Sequence, residues 1–351
     1  MTDRLRLCFV SHRAMPFPGG TEVFVQAMAS AAQAQGHQVC ILAGQHQGDF
    51  GGIPITSDET ILDSQPFDLV IVHGATEGPP RRTLDRAAGL HSPVLYMVVA
   101  HYAHHVRRRH LIGARVLGWS SPLDRRVIAA HGLQGRARRV RHGLRTDLCL
   151  GAPGFRQRHG ISPDRRMFLS CGGYGANKRM RALAALFERS QGDALLVTTG
   201  YSKGAGMPRQ SDRVLPLLIE DPAEVLSAIF EADCYLMHSR DEGFGLVMLE
   251  AMVNRTPWIA HATGGAPMLT DCGTIYHRSS DLIGLIDRFS PDPARIAHAH
   301  ARVMDEFDIR RTVEDIEAAA RLARSPAPPP ERGGVSAQLA LWGGRDHWRP
   351  E

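Results

Sequence analysis

Continuous apolar runs and helix-spaced apolar residues alternate along the chain. RLRLCFVS near the N-terminus, HQVCILAG from His37, PFDLVIVHG at 66–74 and SPVLYMVVAH at 92–101 are short apolar runs. Runs of this kind read as strands buried on both faces. Between the first two lies a proline- and glycine-containing loop, HRAMPFPGG, and then TEVFVQAMASAAQAQG, a helical pattern that stops at Gly36. Strands alternating with helices predict a doubly wound parallel sheet. The pattern lapses over 139–166, which is polar, basic and glycine-containing and reads as a linker. It then restarts with MFLSCGG, NKRMRALAALFERS, DALLVTTG, DPAEVLSAIFEA, DCYLMHS, LVMLEAMV and TPWIAHA. Residues 281–324 read as helical, and the chain after Ser325, with APPPERGG, reads as a disordered Pro/Gly-rich tail. The fold class expected is α/β with two domains, 1–142 and 163–324, joined by a linker at 143–162 and followed by the tail 325–351.

Composition agrees with two domains. A chain of 351 residues is long for one ordinary core and fits two of about 150–180 residues each. No apolar run approaches the ~18 residues of a membrane span, and MTDRLRLCFVS lacks the apolar core of a signal peptide, so a cytoplasmic location is expected. The six cysteines are scattered, four of them in or beside strand-like runs, which suits reduced thiols; none has metal-ligand spacing. The net charge of +5 is unevenly spread: residues 101–166 hold fifteen arginines against Asp124, Asp147 and Asp164. Only two lysines, Lys178 and Lys203, occur among 41 basic residues, so each raises a question.

Candidate chemistry concentrates in HSRDEGFGLVMLEAMVNRTPWIA, residues 238–260. A strand ends in the turn RDEGFG and a helix follows. The N–H groups of Gly245, Leu246 and Val247 then lie free at a helix N-terminus, a site suited to phosphate. Gly243 and Gly245 leave room for close approach, Glu242 stays in the turn, and Glu250 sits about 8 Å along the helix. One carboxylate on each side of a diphosphate matches the hydroxyls of a nucleotide sugar. A plain amphipathic helix with a solvent-facing Glu250 is the other reading that the residues leave open.

Glu242 and Glu250 form E-x7-E within EGFGLVMLEAM, and this resembles the retaining glycosyltransferases of family 4. Four further stretches resemble that family in the expected order: PGGTEVFVQAMASAAQAQGHQV (18–39), VRHGLRTD (140–147), GGYGANKRM (172–180) and TGGAPMLTDCG (263–273). The resemblance implies the GT-B fold, two Rossmann-like domains facing a central cleft. It implies that Lys178 binds the donor diphosphate, that Glu250 holds the ribose, and that Glu242 contacts the donor sugar. By the same resemblance Gly19 and Gly20 approach the diphosphate, Phe244 lies within the donor loop, and His101 lies near the reacting centre. A simple strand–helix turn at Gly19–Gly20 and a capped strand end at His101 are the plainer alternatives.

The implied reaction moves a sugar from a nucleoside diphosphate to an acceptor hydroxyl with retention. It needs no metal and no cofactor, and the chain has no Asp-x-Asp. Lys178 and the helix N-terminus would stabilise the leaving charge. One departure stands out: the family's Arg five residues before the lysine is Gly173 here, so Arg13, Arg179, Arg181 or Lys203 would have to supply that phosphate contact. TGGAPM also lacks the acid often found after the two glycines. A catalytically inactive nucleotide-sugar-binding subunit is therefore the rival reading. A nicotinamide dehydrogenase is disfavoured because PFPGGTEVF lacks G-x-G-x-x-G. Nucleic acid is not expected as a partner, because no aromatic platform accompanies the arginines. The expected partners are a nucleotide sugar and a small-molecule, glycan or lipid-linked acceptor. A peripheral contact with the anionic inner membrane face through Arg107, Arg108 and Arg109 is a further expectation, opposed by simple genomic arginine bias.

Overall fold

The structure is a computed structural model of the chain, described here for residues 4–17, 19–44, 47–74, 77–99, 107–201, 204 and 206–330. The contacts divide it into two compact units, residues 1–142 with 309–351, and residues 143–308.

Unit 1 begins with strand β1 (Arg6–Ser11), helix α1 (Gly20–Ala34) and strand β2 (Gln38–Ala43). Gly36, at φ +93°, ends the helical run where the sequence placed the stop. A short antiparallel pair, β3 (Gly48–Phe50) and β4 (Ile53–Thr56), follows. Then come α2 (Ile61–Ser64), β5 (Leu69–His73), α3 (Gly78–Arg86), β6 (Val94–Met97), α4 (Arg108–Gly113), β7 (Val116–Trp119), α5 (Pro122–Ala130) and β8 (Ala137–Arg139). The strands form one sheet in the order β3-β4-β2-β1-β5-β6-β7-β8, parallel except for β3. Alternation along each strand divides the core into two layers. Cys8, Val10, Val70, Val72 and Tyr96 face Leu84 of α3, Leu111 of α4 and Ile128 of α5.

Unit 2 repeats the plan. Helix α6 (Phe155–Arg158) precedes β9 (Met167–Cys171), α7 (Met180–Glu188), β10 (Leu195–Gly200), β11 (Val214–Leu218), α8 (Pro222–Glu231) and β12 (Cys234–Met237). Helix α9 (Leu246–Val253), β13 (Trp258–His261), β14 (Thr274–Tyr276), α10 (Ser279–Asp287) and α11 (Pro293–Glu306) complete it. Its parallel sheet runs β11-β10-β9-β12-β13-β14. Met167, Leu169, Val197, Tyr235 and Met237 pack under α8, α9 and α11, while Phe168, Leu196 and Leu236 pack on α7 and α10. All six cysteines are free thiols.

Two boundaries differ from the sequence expectation. Residues 143–162 are built into unit 2: Phe155 is fully buried in its core, and the Glu231 carboxylate accepts from Gly154 N at 2.7 Å and Arg156 N at 2.6 Å. Helix α12 (Ile309–Ala323), expected with the second domain, belongs to unit 1. Its buried stripe of Val313, Ile316, Ala319, Ala320 and Ala323 covers unit 1 beside α1, β6 and β7. Polar contacts fix the helix there. Glu317 Oε1 lies 3.0 Å from His37 Nε2, and Asp315 accepts from Arg141 through N and a guanidinium N–H, each at 2.9 Å. Of the tail, residues 325–330 are described and carry no helix or strand; Pro328 O accepts from Arg136 Nε at 3.0 Å. Residues 331–351 lie outside the described residues.

Candidate active site

The strand order of unit 2 reverses between β9 and β12, and the loops beyond their carboxyl ends flank the crevice where doubly wound sheets bind ligands. β9 delivers Gly172, Gly173 and the turn that ends at Lys178, and β12 delivers the turn 238–245 and α9. Lys178 and Glu242 meet across this point, with Nζ donating to Glu242 Oε1 at 2.6 Å and both side chains mostly buried. Gly172, at φ +135°, is required here. A Cβ would lie 3.0 Å from Lys178 Cε, so the lysine stem runs directly over the glycine.

Helix α9 starts at Gly245, whose left-handed backbone (φ +95°) turns the chain into the helix with no side-chain cap. The amides of Leu246 and Val247 thus remain at an uncapped N-terminus. Glu250 follows on the next turn of α9. Burial pushes its carboxyl up to about 7, and the charge on Lys178 opposes that shift. No hydrogen bond to this carboxylate is found among the described residues. It is therefore an acceptor held in a partly desolvated place, close enough to Lys178 to feel its charge. Phe244 has a different role from Gly245: its ring is buried against Gly265, and its carbonyl accepts from Gly265 N at 2.8 Å. Only its backbone can serve a ligand. Gly243 lies in the same turn, half-buried.

The position of the absent arginine is filled. A Cβ on Gly173 would lie 2.9 Å from Tyr201 Oη, so a phenol from the end of β10 occupies the space that a longer side chain at 173 would need. Tyr201 was missed from the sequence; the signal was the bare glycine beside the lysine loop. Arg179 has a left-handed backbone (φ +52°), and its charge acts on His238, just past β12, and on His261 and Tyr276, the last residues of β13 and β14. His238 Nδ1 lies 2.5 Å from Tyr276 Oη, and burial drives this histidine down to about 3. Arg181 is exposed on α7. Lys203 and His101 fall outside the described residues.

Arg13, Gly19 and Gly20 lie in unit 1. The Glu22 carboxylate folds back over the start of α1 against Gly19, where a Cβ would collide with its Oε2, and it accepts from its own backbone N–H. Gly19 thus makes room for an internal acid, and burial raises that acid above the usual carboxylate range. A Cβ on Gly20 would meet nothing. The Arg13 guanidinium lies 4.3 Å over the Phe17 ring. Of the three arginines considered for a membrane, Arg109 pairs with Asp85 at 2.8 Å, while Arg107 and Arg108 begin α4. No helix among the described residues is long and apolar enough to cross a membrane. Among the described residues one cluster has metal-ligand character, Asp271, Cys272 and His298, but the Arg302 guanidinium already sits in it, 2.6 Å from Asp271 Oδ1 and 3.8 Å from Cys272 Sγ.

Comparison with known proteins gives this geometry its setting. Residues 153–274 match the family described as "Glycosyl transferases group 1". The chain is 32% identical over 147 residues to a D-inositol 3-phosphate glycosyltransferase of Corynebacterium aurimucosum, covering 37% of this chain and 35% of that one. It is 32% identical over 172 residues to the protein of the same name from Actinosynnema mirum, covering 41% and 40%. The chain thus spans well under half the length of the curated relatives it matches. Among solved structures it is similar to Anabaena HepE in complex with UDP-glucose (TM-score 0.71, 16% identity, 91% of this chain and 100% of that one). It is also similar to sucrose-phosphate synthase from Thermosynechococcus elongatus (TM-score 0.70, 18% identity, 92% and 100%). The fold is that of the GT-B glycosyltransferases, and residues 153–274, which carry the Lys178–Glu242–Glu250 site, match their group 1 family.

Proposed function

We propose that the chain is a retaining, metal-independent glycosyltransferase that moves a sugar from a nucleoside diphosphate to an acceptor hydroxyl. The observation that carries this reading is the meeting of Lys178, Glu242, Glu250 and the uncapped start of α9 at the switch point of unit 2. Lys178 has three N–H donors, so it can hold Glu242 and a phosphate oxygen together. The donor diphosphate would lie against Lys178 and the amides of Leu246 and Val247, which stabilise the charge that develops as it leaves. Glu250 would accept from the ribose hydroxyls and Glu242 from those of the sugar. Retention and family 4 membership rest on the E-x7-E resemblance, and metal independence on the lysine and helix terminus standing where a cation would otherwise neutralise the diphosphate.

The UDP-glucose complex of HepE and the inositol-phosphate acceptor in the relatives' names make UDP-glucose and inositol 3-phosphate the first pair to test. A thermal-shift screen against UDP, GDP, ADP and dTDP and their sugars identifies the donor by mass action, since a ligand at 100 times its Kd adds about 2.7 kcal/mol. Release of nucleoside diphosphate with the acceptor present, insensitive to chelator, is the expected result. Activity abolished by chelator and restored by Mn²⁺ would contradict metal independence. One observation favours a second reading: Tyr201 over Gly173 puts a phenol where a guanidinium is expected, as in a subunit that binds donor without turning it over. Donor binding with no turnover against any acceptor would select that reading.

A further inference from the structure

Unit 1 has a switch point of its own, between β1 and β5, where the sheet order turns from β2 on one side to β6 on the other. The last residues of these strands are Ser11 and His73. Leu7 pairs with Leu69 and Val10 with Val72, so Ser11 and His73 come next in the same register. Alternation puts them on the α1 face, and the His73 ring accordingly lies 5.3 Å from the Phe24 ring of α1. Both are buried, at 0% and 5% exposure, yet Ser11 Oγ and His73 Nδ1 have no hydrogen-bond partner among the described residues. Two buried polar atoms without partners at the ends of neighbouring strands are uncommon, because each costs about 1–3 kcal/mol.

The other nitrogen of His73 explains how the first is used. His73 Nε2 lies 3.1 Å from His142 Nε2, and the His142 ring stacks on Phe24 at 4.4 Å. Burial lowers both imidazoles, His73 to about 4, so near neutrality neither is charged and one N–H bridges them. When His142 gives that proton, His73 Nδ1 is a donor; when His73 gives it, Nδ1 is an acceptor. Beside it, the Ser11 hydroxyl can also do either. An uncharged pair of groups that each donate or accept matches neighbouring hydroxyls on a neutral ring and offers nothing special to an anion.

We infer that Ser11 and His73 form a subsite for a vicinal hydroxyl pair of a cyclic polyol, with His142 as the positioning residue that sets the His73 tautomer. Identifying this polyol as the acceptor rests on the transferase reading; the subsite itself does not. The experiment is ¹⁵N-histidine NMR on the full chain, titrated with myo-inositol and with D-glucose and, separately, with UDP. The His73 signals are identified by their loss in His73→Phe, or in His73→Gln if the phenylalanine variant does not fold. A saturable shift of the His73 Nδ1 resonance with either polyol is expected, weakened roughly three- to tenfold in Ser11→Ala, with UDP binding unchanged in that variant. A resonance that neither polyol moves, or a shift indifferent to Ser11→Ala, overturns the subsite and leaves these atoms to bound water. Polyol binding by a chain that binds none of UDP, GDP, ADP and dTDP in the thermal-shift screen keeps the subsite and removes the transferase reading; nucleotide binding without polyol binding removes only the subsite.

Discussion

Glu250 is where a single group couples binding, stability and pH. Its folded-state pKa, about 7, lies above the ordinary 4.5, so ionising it costs folding free energy. The penalty is absent below pH ~4.5 and complete above ~7. With partial solvent screening it amounts to about 1–3 kcal/mol. Glu250→Gln is therefore expected to melt higher than the parent at pH 8 and alike at pH 4.5, by calorimetry. The ribose role predicts the opposite sign for ligand. A carboxylate accepts from hydroxyls better than its acid, so nucleotide affinity should rise with pH through ~7 in the parent and stay flat and weaker in the variant. Glu250→Ala should cost about 2–4 kcal/mol of nucleotide binding; unchanged affinity by titration calorimetry would sink the ribose role. Lys178→Ala tests the other partner, with an expected fall in kcat of about 10²–10³ and a much smaller loss of stability; equal turnover would make Lys178 a local partner of Glu242 only. Glu242 and Glu250 were legible in the sequence because a strand–turn–helix fixes their local spacing, and Lys178 because it is one of two lysines in an arginine-rich chain. Tyr201 and Glu22 were not, because their roles depend on what lies next to Gly173 and Gly19 in space.

Single glycines and one helix carry the next level. The elements themselves were readable: α1 and α9 formed where the periodicity put them, and the buried parallel strands sit in the predicted runs. What periodicity does not encode is the surface on which an amphipathic helix lands. The buried stripe of α12 packs beside α1, β6 and β7, and Asp315 and Glu317, which find Arg141 and His37, help to assign it to unit 1. Glu317→Ala leaves the buried His37 nitrogen without its acceptor and should cost about 1–3 kcal/mol, read as a lower denaturation midpoint at unchanged slope. At Gly172 two costs coincide, a positive φ and the Lys178 stem. Gly172→Ala should destabilise by roughly 1–2 kcal/mol and weaken nucleotide binding as well, because the lysine must shift. A variant that loses stability but keeps full nucleotide affinity would show that the glycine serves the turn alone.

At the scale of the whole molecule the two units differ in how the chain supplies them. Unit 2 is one continuous segment, 143–308. Its two ends are held to each other inside it: Leu144 N donates to Phe307 O at 2.9 Å, Leu144 bridges Asp308, and Thr146 Oγ1 donates to Asp308 Oδ2 at 2.6 Å. It has core on both faces of its sheet and a size, on the order of 150 residues, at which a single core suffices. Unit 1 is discontinuous and takes α12 from beyond unit 2. Without that helix the cover beside α1, β6 and β7 is lost, and with it the partners of His37 and Arg141. The two excised pieces should therefore behave unequally. A 143–308 fragment is expected to unfold cooperatively and to bind the parent's nucleotide within about tenfold, since Lys178, Glu242, Glu250 and the start of α9 all lie inside it. A 1–142 fragment is expected to be aggregated or molten, with weak near-ultraviolet circular dichroism, and to gain a cooperative transition when residues 309–330 are rejoined through a flexible linker. Cooperative folding of 1–142 by itself would show that α12 is an accessory to unit 1, and a 143–308 fragment that folds but binds no nucleotide would move the donor site out of unit 2.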